Sequence, residues 1–249
     1  MPVERLNRYL ARAGVASRRH ADAMIAAGRV RVNGRVPPPN GIEIDSSRDE
    51  VTADGRPVES PRARHRYFAC NKPIAVIVSA ADPGGRRTVF DLLPAEARGS
   101  RLFPVGRLDM DSSGLLLLTD DGELANRLLH PRWKVAKEYL AVIAGTPPER
   151  DLRRLRRGID LDDGPTQPAD VELLGSGNGL SDLRIALNEG RNRQVRRMCE
   201  AIGHPVRRLQ RTSFGPIRLG RLREGHVRAL RPPEVAALRR ATGLEAATP

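Results

Sequence analysis

Apolar residues recur at helical spacing from Leu6 through Leu10 to Ala13, Gly14 breaks the turn, and Ser17 stands where it can cap a second helix carrying Ala21, Met24 and Ile25. Gly28 is the expected stop. Val30 and Val32, the turn pair Asn33-Gly34 and then Val36 alternate as the two arms of a β-hairpin do. The short, polar, proline-bearing stretch Ser60-Pro61-Arg62-Ala63-Arg64 reads as a linker. Domains are therefore expected at 1–60 and 66–245, joined by 61–65. In the larger one, short apolar runs at 75–78, 115–118, 140–143 and 183–187 alternate with helical stretches at 124–129 and 194–202, an α+β pattern. Glycine-rich 175–179 reads as a loop between strands, and no repeat of fixed period is present.

Length and charge sharpen this picture. A chain of 249 residues suits two unequal domains, each able to bury a core. A net charge of +13 makes a polyanion the first partner to consider. Of 43 basic residues only Lys72, Lys134 and Lys137 are lysines, so the charge sits on guanidinium forks suited to phosphate contact and base stacking. A GC-rich genome explains arginine over lysine but not the excess of cations over carboxylates. Residues 5–35 hold eight arginines against Asp22 alone, whereas 41–59 hold six acids against Arg48 and Arg56. Arg8, Arg12, Arg18, Arg19, Arg29, Arg31 and Arg35 thus make a candidate phosphate-binding face, with an ordinary solvated helix surface as the alternative.

Cys70 and Cys199 stand alone, without CxxC or histidine at ligand spacing, so neither a zinc site nor a disulfide framework is expected. The opening MPVERLNRYL carries charges where a signal peptide needs an apolar core, and apolar runs such as 115–118 fall far short of the roughly 20 residues of a spanning helix. A cytoplasmic protein with no membrane partner is the expectation, and a monomer.

Two stretches carry candidate chemistry. In 102–131, an apolar lead-in runs into Gly106-Arg107-Leu108-Asp109-Met110-Asp111-Ser112-Ser113-Gly114 and returns as four leucines, which puts two acids and an arginine at the edge of a sheet. Taken alone it reads first as a structural turn with side-chain capping. In 187–205, Val195, Met198, Cys199 and Ile202 form a helical stripe, Arg193 and Arg197 point away from it, and Arg196 lies at its border, where a guanidinium can reach inward to a carboxylate. Residues 184–231 hold thirteen arginines against Glu189, Glu200 and Glu224.

RLNRYLARAGVASRRHADAMIAAGRVRVNGRV resembles the S4 RNA-binding domain. GRLDMDSSGLLLLTDDGE, the opening Asn71-Lys72-Pro73, the tyrosine-bearing 135–139 and the basic 190–198 resemble, in order and spacing, the ribosomal RNA pseudouridine synthases of the RsuA/RluB type. Ser113 stands where that family usually has threonine. Asn192-Arg193-Gln194 and 82–93 are similar to the large-subunit branch. The resemblance implies a small α/β S4 domain followed by a mixed, mainly antiparallel sheet flanked by helices, and a uridine of 23S ribosomal RNA as substrate. It also implies Asp109 as the catalytic aspartate, Tyr139 as the aromatic against the uracil, Arg196 as the basic partner that keeps Asp109 ionised, and Arg107, Lys72, Arg193 and Arg197 as substrate contacts. Asp111 in place of Asp109, Tyr139 as plain strand core and Lys72 as a structural residue remain the alternatives. Isomerising uridine needs no redox partner or group carrier, which agrees with a sequence lacking any cofactor or metal motif. A non-catalytic S4 protein would need little beyond residue 60, and a nuclease or glycosidase would need paired acids that only Asp109 and Asp111 could supply. A small-subunit (16S) target is the alternative substrate.

Overall fold

The computed structural model describes residues 3–59, 65–79, 82–98 and 101–244. All of the expected linker except His65 lies outside them. The chain forms two compact units, Met1–His65 and Arg66–Pro249.

The first unit runs β1 (Val3–Arg5), α1 (Leu6–Arg12), α2 (Arg18–Ala26), β2 (Val30–Val32), β3 (Glu43–Asp45), β4 (Val51–Ala53) and β5 (Arg56–Pro57). Ser17 caps α2 by accepting from the His20 amide at 3.2 Å, and Gly14 and Gly28 end the two helices at positive φ, as their spacing predicts. Leu6, Leu10, Met24, Ile25, Val30 and Ile44 form its core. The hairpin expectation needs correction. Asn33 and Gly34 do make the tight turn, with φ of 51° and 77°, but Val36 is exposed and begins no strand. Three consecutive prolines, 37–39, supply no amide hydrogen for a return arm, so β2 pairs instead with β4.

The second unit runs β6 (Tyr67–Lys72), β7 (Phe103–Pro104), β8 (Ser113–Thr119), α3 (Gly122–Leu129), β9 (Lys137–Ala144), α4 (Glu149–Arg157), β10 (Asp160–Leu161), β11 (Gly164–Pro165), β12 (Asp170–Gly177), β13 (Leu180–Leu187), α5 (Gln194–Glu200), β14 (Val206–Phe214), β15 (Ile217–Arg218), β16 (Val227–Ala229) and α6 (Pro232–Ala241). The main sheet follows β12-β13-β9-β14-β8-β6-β16, with β15 on β14 and β7 on β8. Every pairing in it is antiparallel except β14 with β8, which is parallel over only Gln210↔Ser113 and Arg211↔Gly114. Strand β8 is buried throughout and divides its leucines by parity: Leu115 and Leu117 enter a cluster with α3 and α6, Leu116 and Leu118 the opposite cluster with Val76, Val89 and Leu108. Helices α4 and α5 cover β9, β12, β13 and β14 through Leu152, Leu155, Val195, Met198 and Cys199.

Two more expectations change. Residues 175–177 belong to β12, and only Asn178-Gly179 turns the chain, both at positive φ. Residues 75–78 are not a strand: Ala75 has φ of 65°, and the carbonyls of Pro73 and Val76 turn inward to accept from the Lys72 ammonium at 2.9 and 2.7 Å.

Candidate active site

Asp109 lies in the loop between β7 and β8, held as a turn by the Ser112 amide donating to its carbonyl at 3.1 Å. Leu108 anchors the loop in the core, and the Ala75 amide ties it to the neighbouring segment by donating to the Met110 carbonyl at 2.9 Å. The turn sits tightly against β14 because residue 114 has no side chain. With φ of 104°, a Cβ there would meet the Arg211 backbone nitrogen at 2.7 Å.

The two acids of the loop are differently engaged. Asp111 receives both arms of Arg193, at 3.2 and 3.1 Å, and its Oδ2 lies 3.3 Å from Arg196 Nε. Partial burial opposes ionisation of Asp111, but the hydrogen bond from Arg193 and the charges of Arg196 and Arg193 outweigh it and hold the carboxyl below its ordinary value. Among the described residues Asp109 makes one ion pair, with Arg193 Nη1 at 3.8 Å, and its side chain is about a third exposed at 32%.

This arrangement corrects the expected Arg196–Asp109 pair. Arg196 does reach inward from the border of the α5 stripe, with a side chain only 12% exposed, but it makes no ion pair with Asp109 among the described residues. Its Nη2 donates to the Asp111 carbonyl at 2.8 Å and its Nη1 to the Val206 carbonyl at 3.3 Å. One fork thereby spans the loop and the start of β14. Arg193, just before α5 at φ of 48°, is the guanidinium nearest to Asp109.

Lys72 is likewise corrected from substrate contact to structural residue. It is 0% exposed, and both hydrogen bonds it makes are to backbone carbonyls. Burial pushes its ammonium down to about 8, against the pull of Cys70, Asp109 and Asp111. Arg197 is committed to Asp163, with contacts of 2.9 and 3.0 Å, and Arg191 donates to the Gly164 carbonyl at 2.7 Å. Together they fasten the β10–β11 hairpin beneath α5, a role for Asp163 that nothing in the sequence pattern signals. Arg107 is exposed and makes no hydrogen bond or ion pair among the described residues. Tyr139 is part-buried on β9 and packs against both clusters that flank the loop, and its register partner Arg211 pairs in turn with Gly114.

All seven candidate arginines of the first unit are exposed. Arg8 and Arg12 pair with Glu4, Arg29 forms a two-armed pair with Asp54 at 2.7 and 2.6 Å, and Arg31 donates to the Gly34 carbonyl. Arg18, Arg19 and Arg35 have no such partner among the described residues. The Arg29–Asp54 pair is exposed and contributes little to stability, so it can exchange for phosphate, whereas Arg8 and Arg12 pair with a buried Glu4.

Residues 66–201 match the RNA pseudouridylate synthase family, and residues 4–36 match the S4 domain. The ribosomal large subunit pseudouridine synthase B of Bacillus subtilis is 45% identical over 239 residues, covering 95% of this chain and 96% of that one. An RNA pseudouridine synthase of Aquifex aeolicus is 43% identical over 242 residues, 97% of this chain and 96% of the relative. A crystal structure of a pseudouridylate synthase superposes with a TM-score of 0.68 at 30% identity, over 94% of this chain and 99% of that one. With its S4 domain, its mixed, mainly antiparallel sheet and an aspartate-bearing loop leading into the interior strand β8, the chain belongs to the RNA pseudouridylate synthase family.

Proposed function

We propose that this enzyme converts a uridine of large-subunit ribosomal RNA to pseudouridine in the cytoplasm, with Asp109 as the catalytic carboxylate. The observation that carries the assignment is the unequal engagement of the two acids. Asp111, though more exposed at 44%, is occupied by Arg193 and Arg196, whereas Asp109 at 32% has among the described residues a single long contact, to Arg193 at 3.8 Å. The substrate follows from the similarity to the Bacillus subtilis large-subunit enzyme.

The reaction breaks the C1′–N1 bond, turns the uracil and joins C1′ to C5, with the proton of C5 lost and one gained at N1. Atoms balance without a second substrate. Positive charge grows at C1′ as the glycosidic bond opens, and a carboxylate beside it can stabilise that charge, capture it covalently or remove the 2′ proton. Arg193 stands near enough to hold Asp109 in place while leaving an oxygen free. Tyr139 gives the everted base a ring to stack on, replacing the neighbours it left. Arg107 supplies an exposed cation two residues before the carboxylate for the backbone of the displaced nucleotide.

Pseudouridines mapped in both ribosomal RNAs, from cells carrying the wild type, Asp109→Asn or no copy, test this reading. One large-subunit pseudouridine is expected to vanish with the deletion and to stay absent with Asp109→Asn, although the variant still binds RNA. Its persistence in the Asn variant sinks the catalytic assignment. Loss of a small-subunit position instead sinks the substrate assignment.

A further inference from the structure

Two loops meet beside Asp109, and each alternates one residue in with one residue out. In the first, Val76 is buried at 4% and Ile74 is exposed at 51%. In the second, Leu108 is buried at 7% and Met110 is exposed at 48%. The Ala75 amide, donating to the Met110 carbonyl, joins the two backbones at that point. The outward pair is thus mounted on two anchored loops and does not hang from a free one. Met110 presents a large apolar side chain to the outside on the same loop as Arg107, Asp109 and Asp111, with Ile74 on the loop tied to it. Burial in an RNA stack would account for them. A base that leaves a helix opens a gap, and proteins that unstack nucleic acid fill such gaps with apolar side chains, Met and Ile among them. The surrounding guanidiniums of Arg107 and Arg193 suit the phosphates on either side of the gap.

We infer that Met110, with Ile74 behind it, is a wedge that enters the RNA stack beside the target uridine and holds it open while the uridine faces Asp109. Both are positioning residues, and the inference rests on the proposed activity of Asp109. The wedge acts on the unstacking step alone. It therefore matters when the target is paired and stacked, and loses its importance when the uridine is already free.

The test uses the full chain and two fragments of large-subunit ribosomal RNA that carry the mapped uridine, one native and one with the nucleotides opposite it deleted so that it is unpaired. Single-turnover rates are measured on both for wild type, Met110→Ser, Ile74→Ser and Met110→Leu. In Met110→Ser the ratio of the unpaired-target rate to the paired-target rate should rise about tenfold or more over wild type, as expected when a step costing a few kcal/mol loses its support. Ile74→Ser should raise it less, and Met110→Leu, which keeps the apolar bulk, should leave it near the wild-type ratio. An unchanged ratio in Met110→Ser, whatever the absolute rates, overturns the wedge, because a misfolded or merely weakened site slows both RNAs alike. Wild type inactive on both fragments tells against the proposed activity itself, which separates the two failures.

Discussion

Arg196 donates from Nη2 to the backbone carbonyl of Asp111 at 2.8 Å and from Nη1 to that of Val206 at 3.3 Å. A helix of one half of the sheet thereby grips the loop that carries Asp109 by its backbone. The residue shapes the site without touching the acid expected to be its partner, and that distinction has measurable consequences.

Arg196→Ala strips a charged donor from two carbonyls and one cation from Asp111, and should lower unfolding free energy by about 1–3 kcal/mol. Turnover should fall with it, since Asp109 loses its fixed position. Arg196→Lys keeps the charge but cannot span both carbonyls, so it should recover only part of either loss. Denaturant titration together with single-turnover kinetics checks this, and a lysine variant equal to wild type would show that charge alone suffices.

Lys72 and Lys137 each contribute stability that grows on the alkaline side. Burial drives both ammonium groups from their ordinary 10.5 down to about 8, with Arg211 adding to the effect at Lys137 and Glu189 opposing it. Because their folded-state values lie below the unfolded one, these two groups contribute stability that increases between about pH 8 and 10.5, opposed above about pH 9 by the buried thiols of Cys70 and Cys199, which burial pushes up to about 12. Below it the penalty of a buried charge is fully in force. Lys72→Met and Lys137→Met should each lower the slope of stability against pH between about pH 8 and 10.5 relative to wild type, and the double variant should lower it further. Variants whose slopes match wild type contradict the burial account.

Of the seven candidate arginines of the first unit, Arg18, Arg19 and Arg35 make no hydrogen bond or ion pair among the described residues. Replacing all three by alanine should weaken RNA binding and reduce the slope of log affinity against log salt by about 2–3, one released counterion per lost phosphate contact. Equilibrium binding at several salt concentrations reads this directly. An unaltered slope would mean that the phosphate contacts lie elsewhere.

Much of the architecture was legible in the chain because it rests on local rules. Ser17 and Gly28 bound a helix by hydrogen bonding and backbone freedom, and the alternate leucines of β8 serve two cores because both faces of that strand are covered. Expectations failed where a distant partner decided the outcome. Prolines 37–39 sent β2 to a strand twenty residues on, and the buried Lys72 bent 73–76 out of strand geometry. At the site, motif order pointed to Asp109, Tyr139 and the basic helix, but which guanidinium meets which carboxylate depends on how α5 docks against the loop. One turn of helix separates the reach of Arg193 from that of Arg196, and periodicity fixes a face without fixing that offset. Ile74 and Met110 carried no signal at all, since alternation within a loop is visible only once the burial of Val76 and Leu108 is known.

The short parallel seam between β14 and β8 is where two separately continuous pieces of chain join. One, ending at β8 and completed by β16, brings Asp109, Met110 and Ile74; the other, from β9 to β14, brings Tyr139, Arg193 and Arg196. Each piece closes on itself through antiparallel neighbours, yet neither holds all of the residues of the proposed site. With Asp109 as the catalytic carboxylate, such a chain is silent until its last join is made, so half-folded chains emerging from synthesis would carry Asp109 without Tyr139, Arg193 and Arg196.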